Sequence, residues 1–309
     1  WFETQNFDEV ETPCLQVSPC VEVHMRGFKT RLEGLKKENG RELWLHTSPE
    51  FAMKKLLVGG MERIFQFARV FRNGESTERH QPEFTLLEWY RAQADYTALM
   101  ADCTALLRLA AEATGRKIAT WEGRSCDLTA EPEIVTVAEA FTRYCGLDIH
   151  SPRLEEEARA KGYRVAADDR WEDVFFRLML DHIEPNLGSG RPTFLCEYPV
   201  SQAVLSRPKP GDERVAERFE LYVAGLELAN AYGELTDPVL QRQRFTADMD
   251  LRQQLYGERF PVDEDFLAAL DFGLPPAAGI ALGFDRMVML ATGATDIRQV
   301  VWSPVVEVM

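Results

Sequence analysis

The sequence lacks the patterns that mark disulfide-bonded and zinc-binding proteins. Its six cysteines, at positions 14, 20, 103, 126, 145 and 196, form no Cys-x-x-Cys pair, and its five histidines form no His-Glu-x-x-His motif. Scattered cysteines in a chain of 309 residues are typical of reduced thiols in the cytosol. We therefore expect a cytoplasmic protein with neither a disulfide framework nor a zinc site.

Long hydrophobic runs and a signal-peptide pattern are also missing. No stretch reaches the roughly 18 consecutive apolar residues that a membrane span requires. We therefore expect no membrane association. The sequence starts at Trp1, inside a predicted helix end and without methionine, so we expect that the natural N-terminus lies upstream.

Positive charge is scarce relative to negative charge. Lysine and arginine total 35 and aspartate and glutamate total 50, which gives a net charge of −15. Phosphate neutralisation needs a basic surface, so this balance argues against a protein that acts mainly on nucleic acid. It leaves room for a local basic site for ATP, and it suits a protein partner that presents a basic segment.

Two common catalytic motifs are absent. There is no G-x-x-x-x-G-K-[ST] phosphate loop and no G-x-S-x-G nucleophile elbow. Any ATP chemistry is therefore not of the P-loop kind.

What is present is the composition of an ordinary soluble globular protein and a strong hairpin signal. Apolar and polar residues alternate over 64–72 and again over 84–91, which predicts a long antiparallel hairpin. The alternation puts Glu88 and Tyr90 on the face shared by Phe84 and Leu86. The connecting segment, RNGESTERHQP, is far longer and more polar than a hairpin turn requires, although its Asn-Gly could form one.

The segment TSPEFAMKKLLVGG predicts a helix. Ser48 suits the N-cap, Pro49 the first helical position, and Gly59 with Gly60 the end. Glu50 then lies in the first turn, where the helix dipole alone could account for it.

A second hairpin, in RFELYVAGLELANAYGEL, is predicted to turn at Ala224-Gly225. A two-residue turn pairs Val223 with Leu226, Tyr222 with Glu227 and Leu221 with Leu228, and it puts Glu220 and Glu227 on one face. Two such carboxylates would repel unless a cation such as magnesium lay between them, or they could be solvated glutamates. The next polar positions have the opposite parity and would need a bulge to join that face: Asn230, Tyr232 and Glu234.

The remaining pattern predicts strands over 41–46, 193–199 and 279–283 and helices over 96–114, 237–256, 263–272 and 284–292. Residues of about 115–192 are predicted to form a helical insertion, and 1–309 a single domain. Arg72 and Arg286 lie at a strand–loop and a strand–helix junction, where guanidinium groups can bind phosphate.

Five segments, in this order, resemble the catalytic domain of the class II aminoacyl-tRNA synthetases and, within it, the lysyl branch: FDEVETP, TSPEFAMKKLL, FRNGESTERHQPEF, ELANAYGEL and GIALGFDRMVML. The closest resemblance is to the stand-alone elongation factor P–lysine ligases, since the first motif lies at the very start and leaves no room for an anticodon-binding domain. The resemblance implies an α+β fold with an antiparallel sheet flanked by helices.

The resemblance also implies a function. Such ligases activate lysine or β-lysine with ATP and Mg²⁺ and attach the acyl group to a lysine side chain of elongation factor P, and a homodimer is expected. Arg72 and Arg286 are implied as the catalytic residues. ATP binding is implied for Arg72, Asn73, Glu75, Gln81, Phe84, Glu220, Glu227, Gly283 and Arg286, with Glu220 and Glu227 as metal ligands.

The implied amino-acid pocket consists of Ser48, Pro49, Glu50, Glu88, Tyr90, Asn230, Tyr232, Glu234 and Ala281. Two alternatives remain: a lysyl-tRNA synthetase-like enzyme that charges tRNA, and a non-catalytic paralogue that senses an amino acid or nucleotide. The missing anticodon domain and the net charge argue against the first. The retained arginines and acidic pair argue against the second.

Overall fold

The computed structural model describes residues 1–19, 22–34 and 40–304. Within them lie fifteen strands: β1 (Asp8–Glu9), β2 (Leu15–Gln16), β3 (Phe28–Leu32), β4 (Arg41–Leu45), β5 (Arg63–Phe71), β6 (Glu83–Ala92), β7 (Ile118–Trp121), β8 (Arg124–Asp127), β9 (Glu133–Thr136), β10 (Thr193–Cys196), β11 (Pro208–Lys209), β12 (Asp212–Ala216), β13 (Arg218–Val223), β14 (Leu226–Gly233) and β15 (Ala277–Gly283).

The same residues contain eight α-helices: α1 (Glu50–Val58), α2 (Thr97–Thr114), α3 (Val137–Ala140), α4 (Leu154–Ala160), α5 (Trp171–Leu178), α6 (Pro238–Tyr256), α7 (Glu264–Gly273) and α8 (Phe284–Thr292). No helix in these ranges is long and apolar enough to cross a membrane.

The centre of the fold is an eight-stranded sheet of order β1-β5-β6-β15-β14-β13-β10-β9. Its inner strands pair antiparallel, and only the outer pairs β1–β5 and β10–β9 are parallel. Helices flank this sheet, so the predicted α+β class is confirmed. The predicted first hairpin is confirmed as β5 and β6, which pair from Arg63 with Arg91 to Phe71 with Glu83.

The two faces of the sheet differ in polarity. On one face, α2 and α8 pack over buried apolar side chains that include Phe65, Leu87 and Trp89. Because side chains alternate along a strand, Glu88 and Tyr90 project from the opposite face. That second face is where the polar residues of the sheet collect.

A smaller apolar cluster supports one end of the polar face. Phe51 of α1 stacks on Phe266 of α7 with ring centroids 4.4 Å apart, and Phe245 of α6 packs beside them. Burial of such aromatic rings contributes about 1.5–3 kcal/mol each. This cluster fixes α1 against the end of the sheet.

The segment 115–192 differs from the predicted helical insertion. It begins with the hairpin β7–β8, and β9 then joins the edge of the main sheet before the helices start at Val137. The alternation of buried Ala119 and Trp121 with exposed neighbours is the strand signal that the helical prediction overlooked. The helical part packs on the main sheet around stacked Phe141 and Phe175.

Some predicted boundaries were wrong by small margins. Helix α1 begins at Glu50, with Pro49 rather than Ser48 at the N-cap, although Ser48 Oγ still accepts a hydrogen bond from the Glu50 N–H at 3.1 Å. The strand predicted over 193–199 ends at Cys196, because the chain turns at Glu197, whose φ is +60°.

Candidate active site

A cavity of about 640 Å³ opens on the polar face of the sheet. Fifteen of the predicted site residues line it: Ser48, Glu50, Arg72, Glu75, Gln81, Phe84, Glu88, Tyr90, Glu220, Glu227, Asn230, Tyr232, Ala281, Gly283 and Arg286. Three others do not line it: Pro49, Asn73 and Glu234. Residues that lie between positions 48 and 286 of the sequence are therefore brought to one place.

A β-bulge makes this convergence possible. The predicted pairs of Val223 with Leu226 and Tyr222 with Glu227 are present, but Leu221 pairs with Ala229 and not with Leu228 as predicted. The extra residue on β14 reverses the parity beyond it. Asn230 therefore lies directly opposite Glu220.

The bulge completes two rows of side chains across four strands. In one row Glu88, Ala281, Asn230 and Glu220 are successive cross-strand partners. Since cross-strand partners project from the same face, their side chains are neighbours.

The second row runs parallel to the first and comprises Tyr90, Gly279, Tyr232 and Arg218. A Cβ on Gly279 would lie 2.2 Å from the Tyr90 ring and 2.3 Å from Glu234 Oε1. Only glycine therefore leaves room for these two side chains at the floor of the cavity.

Two arginines, Arg72 and Arg286, line one end of the cavity. Arg72 follows β5, and its guanidinium lies 5.2 Å from the centroid of the Phe84 ring. Arg286, in the first turn of α8, donates to the Glu227 carbonyl at 2.8 Å and lies 3.6 Å from Glu227 Oε2. Each of these two charges lowers the pKa of His80.

His80 holds Arg286 from the polar loop between β5 and β6. Its Nε2 accepts from Arg286 Nη2 at 2.7 Å, which leaves Nδ1–H to donate to Thr77 Oγ1 at 2.8 Å. Burial, together with the charge of Arg286, lowers the pKa of His80 to about 3. The ring is therefore neutral at ordinary pH, and sequence reasoning gave it no role.

Glu220 is already well supplied with hydrogen bonds. Its Oε2 accepts from the hydroxyls of Tyr198 and Tyr222, each at 2.6 Å, and its Oε1 accepts from Arg218 at 2.5 Å. Arg218 also donates to Asn230 Oδ1 at 3.2 Å. The guanidinium thus ties Glu220 to Asn230 within their shared row.

Several carboxylates lie close to one another near the arginine end, and the charges of some raise the pKa of others. Burial and the neighbouring charge of Glu220 raise the pKa of Glu227. Burial, Glu220 and Glu227 also raise the pKa of Glu184, in the turn Glu184–Asn186, to about 7. Such a site has room for added positive charge, although no group of three or more metal-ligating side chains is assembled in the described residues.

The other end of the cavity contains buried acids. Glu88 accepts from Ser48 Oγ at 2.8 Å and from the Tyr90 hydroxyl at 2.6 Å. Burial and the nearby charge of Glu50 raise the pKa of Glu88 to about 8. An ammonium group bound beside these acids would stabilise their ionised forms, and the arginines would stabilise phosphates at the other end in the same way.

Lys54 lies behind these acids and was missed by sequence reasoning. Its Nζ is 2.5 Å from Glu50 Oε1 and 2.5 Å from Glu234 Oε2, and its side chain is 1% exposed. A lysine four residues after a glutamate on a helix is normally a solvated surface pair. Its burial depends on Glu234, which is distant in sequence.

Residues 22–25 of the N-terminal region line the cavity. Arg252 of α6, 2% exposed, donates to the carbonyls of Val23 at 2.7 Å and Met25 at 2.8 Å. The carbonyl of the next residue, Arg26, accepts from the Asn73 N–H at 2.8 Å. Asn73 is thus a backbone contact between this N-terminal segment and the polar loop.

Comparisons with known proteins match nearly the full length of this chain. Residues 1–307 match the family described as tRNA synthetases class II (D, K and N). Over 306 residues the chain is 40% identical to a protein of Pseudoalteromonas translucida (strain TAC 125) named elongation factor P–(R)-beta-lysine ligase. That alignment covers 97% of this chain and 90% of the relative.

Proposed function

Because this chain belongs to the class II tRNA synthetases (D, K and N), we propose that it is an ATP-dependent ligase that activates (R)-β-lysine or lysine and transfers it to a lysine side chain of elongation factor P. The observation that carries this proposal is the polarity of one cavity. Arginines lie at one end of it and buried acids at the other. An amino acid with an extra ammonium group and a nucleotide phosphate fit this arrangement.

The first step joins the two substrates. A carboxylate oxygen of the amino acid attacks the α-phosphorus of ATP, the bond to the β-phosphate oxygen breaks, and pyrophosphate leaves. Arg72 and Arg286 hold the phosphate oxygens from two sides, and their charge stabilises the negative charge of the transition state. The cavity holds the reacting atoms in line, and no side chain forms a covalent intermediate.

The second step transfers the acyl group. The neutral amine of the acceptor lysine attacks the acyl carbon of the adenylate, an amide bond forms, and AMP leaves. The net charge of −15 argues for a protein acceptor over tRNA.

We propose Phe84 and Gln81 as contacts of the adenine. The Phe84 ring and the buried Gln81 both line the cavity beside Arg72, and Gln81 Oε1 has no hydrogen-bond partner in the described residues. An unpaired buried amide oxygen is costly, so a donor on a ligand would stabilise it. Glu75 and Gly283 line the same end, and we propose them as ATP contacts too.

Glu220 and Glu227 are suited to hold Mg²⁺. Both line the cavity, carboxylate oxygens are the ligands that Mg²⁺ prefers, and burial with the charge of Glu220 raises the pKa of Glu227. Glu220 Oε1 accepts from one donor, so a lone pair remains for a metal. The ion would add positive charge beside the phosphates.

The test is amino-acid-dependent exchange between ATP and labelled pyrophosphate. We expect exchange with lysine isomers, and we expect R72A and R286A each to reduce it at least about 100-fold. R108A is the matched control, because Arg108 pairs with Glu131 on the surface. Undiminished exchange in R72A or R286A would contradict the proposal.

We also propose that the chain is a cytoplasmic homodimer, as expected for a member of this class. Light scattering of the purified protein tests the oligomeric state. A mass equal to one chain at micromolar concentration would contradict the dimer.

A further inference from the structure

Lys54 connects the two acids that stand at different depths of the amino-acid pocket. Glu50 begins α1 and lines the cavity, whereas Glu234 follows β14 and lies beneath the cavity floor. Lys54 Nζ lies 2.5 Å from one oxygen of each. One buried ammonium therefore fixes the position of both carboxylates.

The ion pairs use only one oxygen of each acid. Lys54 is bound to Glu50 Oε1 and Glu234 Oε2. Glu234 Oε1 is buried and has no hydrogen-bond partner in the described residues. It lies beside Gly279, which lines the cavity, and because that residue has no side chain, none of its atoms fills the space between the cavity floor and the oxygen.

A buried, unpaired carboxylate oxygen is an expensive feature. Its desolvation is unfavourable unless a hydrogen-bond donor compensates for the lost water. Burial raises the pKa of Glu234, and the Lys54 ammonium opposes that shift. Burial alone would lower the pKa of Lys54, but Glu234 and Glu50 raise it above its ordinary value, so Lys54 remains charged.

We propose that Lys54 is a positioning residue that sets the distance between the two carboxylates binding the two ammonium groups of the diamino acid, and thereby helps to choose between lysine isomers. The inference rests on the proposed function. Glu50 would bind the ammonium nearer the carboxylate, and Glu234 Oε1 the one at the far end of the chain.

The two lysine isomers differ in the distance between their ammonium groups. Lys54 would control the matching distance between the two carboxylates. Four carbons separate the nitrogens of β-lysine and five separate those of α-lysine. Because Glu50 Oε1 and Glu234 Oε2 share one Nζ at 2.5 Å, these oxygens are held close together. A larger cationic side chain at position 54 would move the two carboxylates apart and favour α-lysine, whose nitrogens are farther apart.

The experiment compares K54R with wild type in pyrophosphate exchange with each isomer. A guanidinium can bind the two acids through different nitrogens, which moves them apart. We expect the ratio of kcat/KM for β-lysine to that for α-lysine to fall at least about fivefold. A purely structural role would lower both values together and leave the ratio unchanged.

E50D provides an independent measurement if K54R folds poorly. It withdraws one carboxylate by a methylene group, and we expect the same direction of change in the ratio. K55R is the matched control, since Lys55 is the next residue of α1 and pairs with Asp263 at 2.8 Å outside the cavity. Its ratio should equal that of wild type.

The outcomes separate this inference from the proposed function. Wild-type exchange with an unchanged ratio in both K54R and E50D would overturn the role of Lys54 alone. Absence of wild-type exchange with either isomer would overturn the proposed function and the inference together. A lowered ratio in the variants but not in K55R supports both.

Discussion

Glu220 on β13 lies directly opposite Asn230 on β14, and the guanidinium of Arg218 bonds to both. This pairing exists because β14 contains one extra residue before Asn230. Without the bulge, Asn230 would project to the apolar face of the sheet. One inserted residue thus joins the predicted metal end of the cavity to the predicted amino-acid end.

The first prediction concerns the hydrogen bonds by which Arg218 connects Glu220 and Asn230. R218M should lower the free energy of unfolding by about 3–5 kcal/mol, because it leaves Glu220 buried without its cation. Urea unfolding measures the effect. R214M is the control, since Arg214 pairs with Asp212 on the surface. Equal stabilities of the two variants would contradict this account of Arg218.

The periodicity of apolar residues was sufficient to predict those helices and strands in which the local sequence shows which side chains are buried. The β5–β6 hairpin alternates over its full length, and helices α2, α6, α7 and α8 have clear apolar stripes or caps. Tyr90 and Glu88 were therefore placed on the correct face.

Features that depend on distant residues were not predictable. The bulge is a property of the pairing between β13 and β14, so the parity of Asn230 remained open until the register was known. Lys54 was not singled out in the sequence because its partner Glu234 is 180 positions away. The β7–β8 hairpin was too short to stand out from the helical pattern that follows it.

The second prediction concerns the pH dependence from Glu88. Its pKa in the fold is about 8, against an ordinary value of 4.5, so the folded protein retains a proton that the unfolded chain releases. Glu88 therefore lowers stability progressively as pH rises from 4.5 towards 8. E88Q should gain melting temperature relative to wild type at pH 9 and little at pH 5.

The same group should appear in the kinetics. The ionised form of Glu88 attracts an ammonium, so kcat/KM for the amino acid should rise as pH approaches about 8. E88Q should lose that rise and lower kcat/KM at pH 8 by about 10- to 100-fold. An unaltered profile in E88Q would rule out Glu88 as the titrating group.

The third prediction concerns His80. Loss of its acceptor nitrogen in H80A should loosen Arg286 and raise the KM for ATP about tenfold, with the KM for the amino acid unchanged within about twofold. Steady-state exchange kinetics measure both constants. Equal increases in the two constants would indicate a general structural defect instead.

His80 also has a pH signature. Its pKa of about 3 lies below the ordinary 6.5, so the unfolded chain takes up a proton that the folded ring does not. Its contribution to stability therefore decreases as pH falls below 6.5. Between pH 7 and 9 wild type and H80A should have parallel stability profiles, and they should converge at lower pH.

If this chain joins a lysine isomer to a protein, the protein acceptor gains mass in a direct transfer reaction. Purified protein, ATP, (R)-β-lysine or α-lysine, and elongation factor P are incubated together, and the acceptor is read by intact mass. We predict an increase equal to one lysyl residue on elongation factor P, absent with R72A or without ATP, and no label on tRNA in a parallel reaction. Label on tRNA with an unmodified elongation factor P, or on neither, would contradict the account.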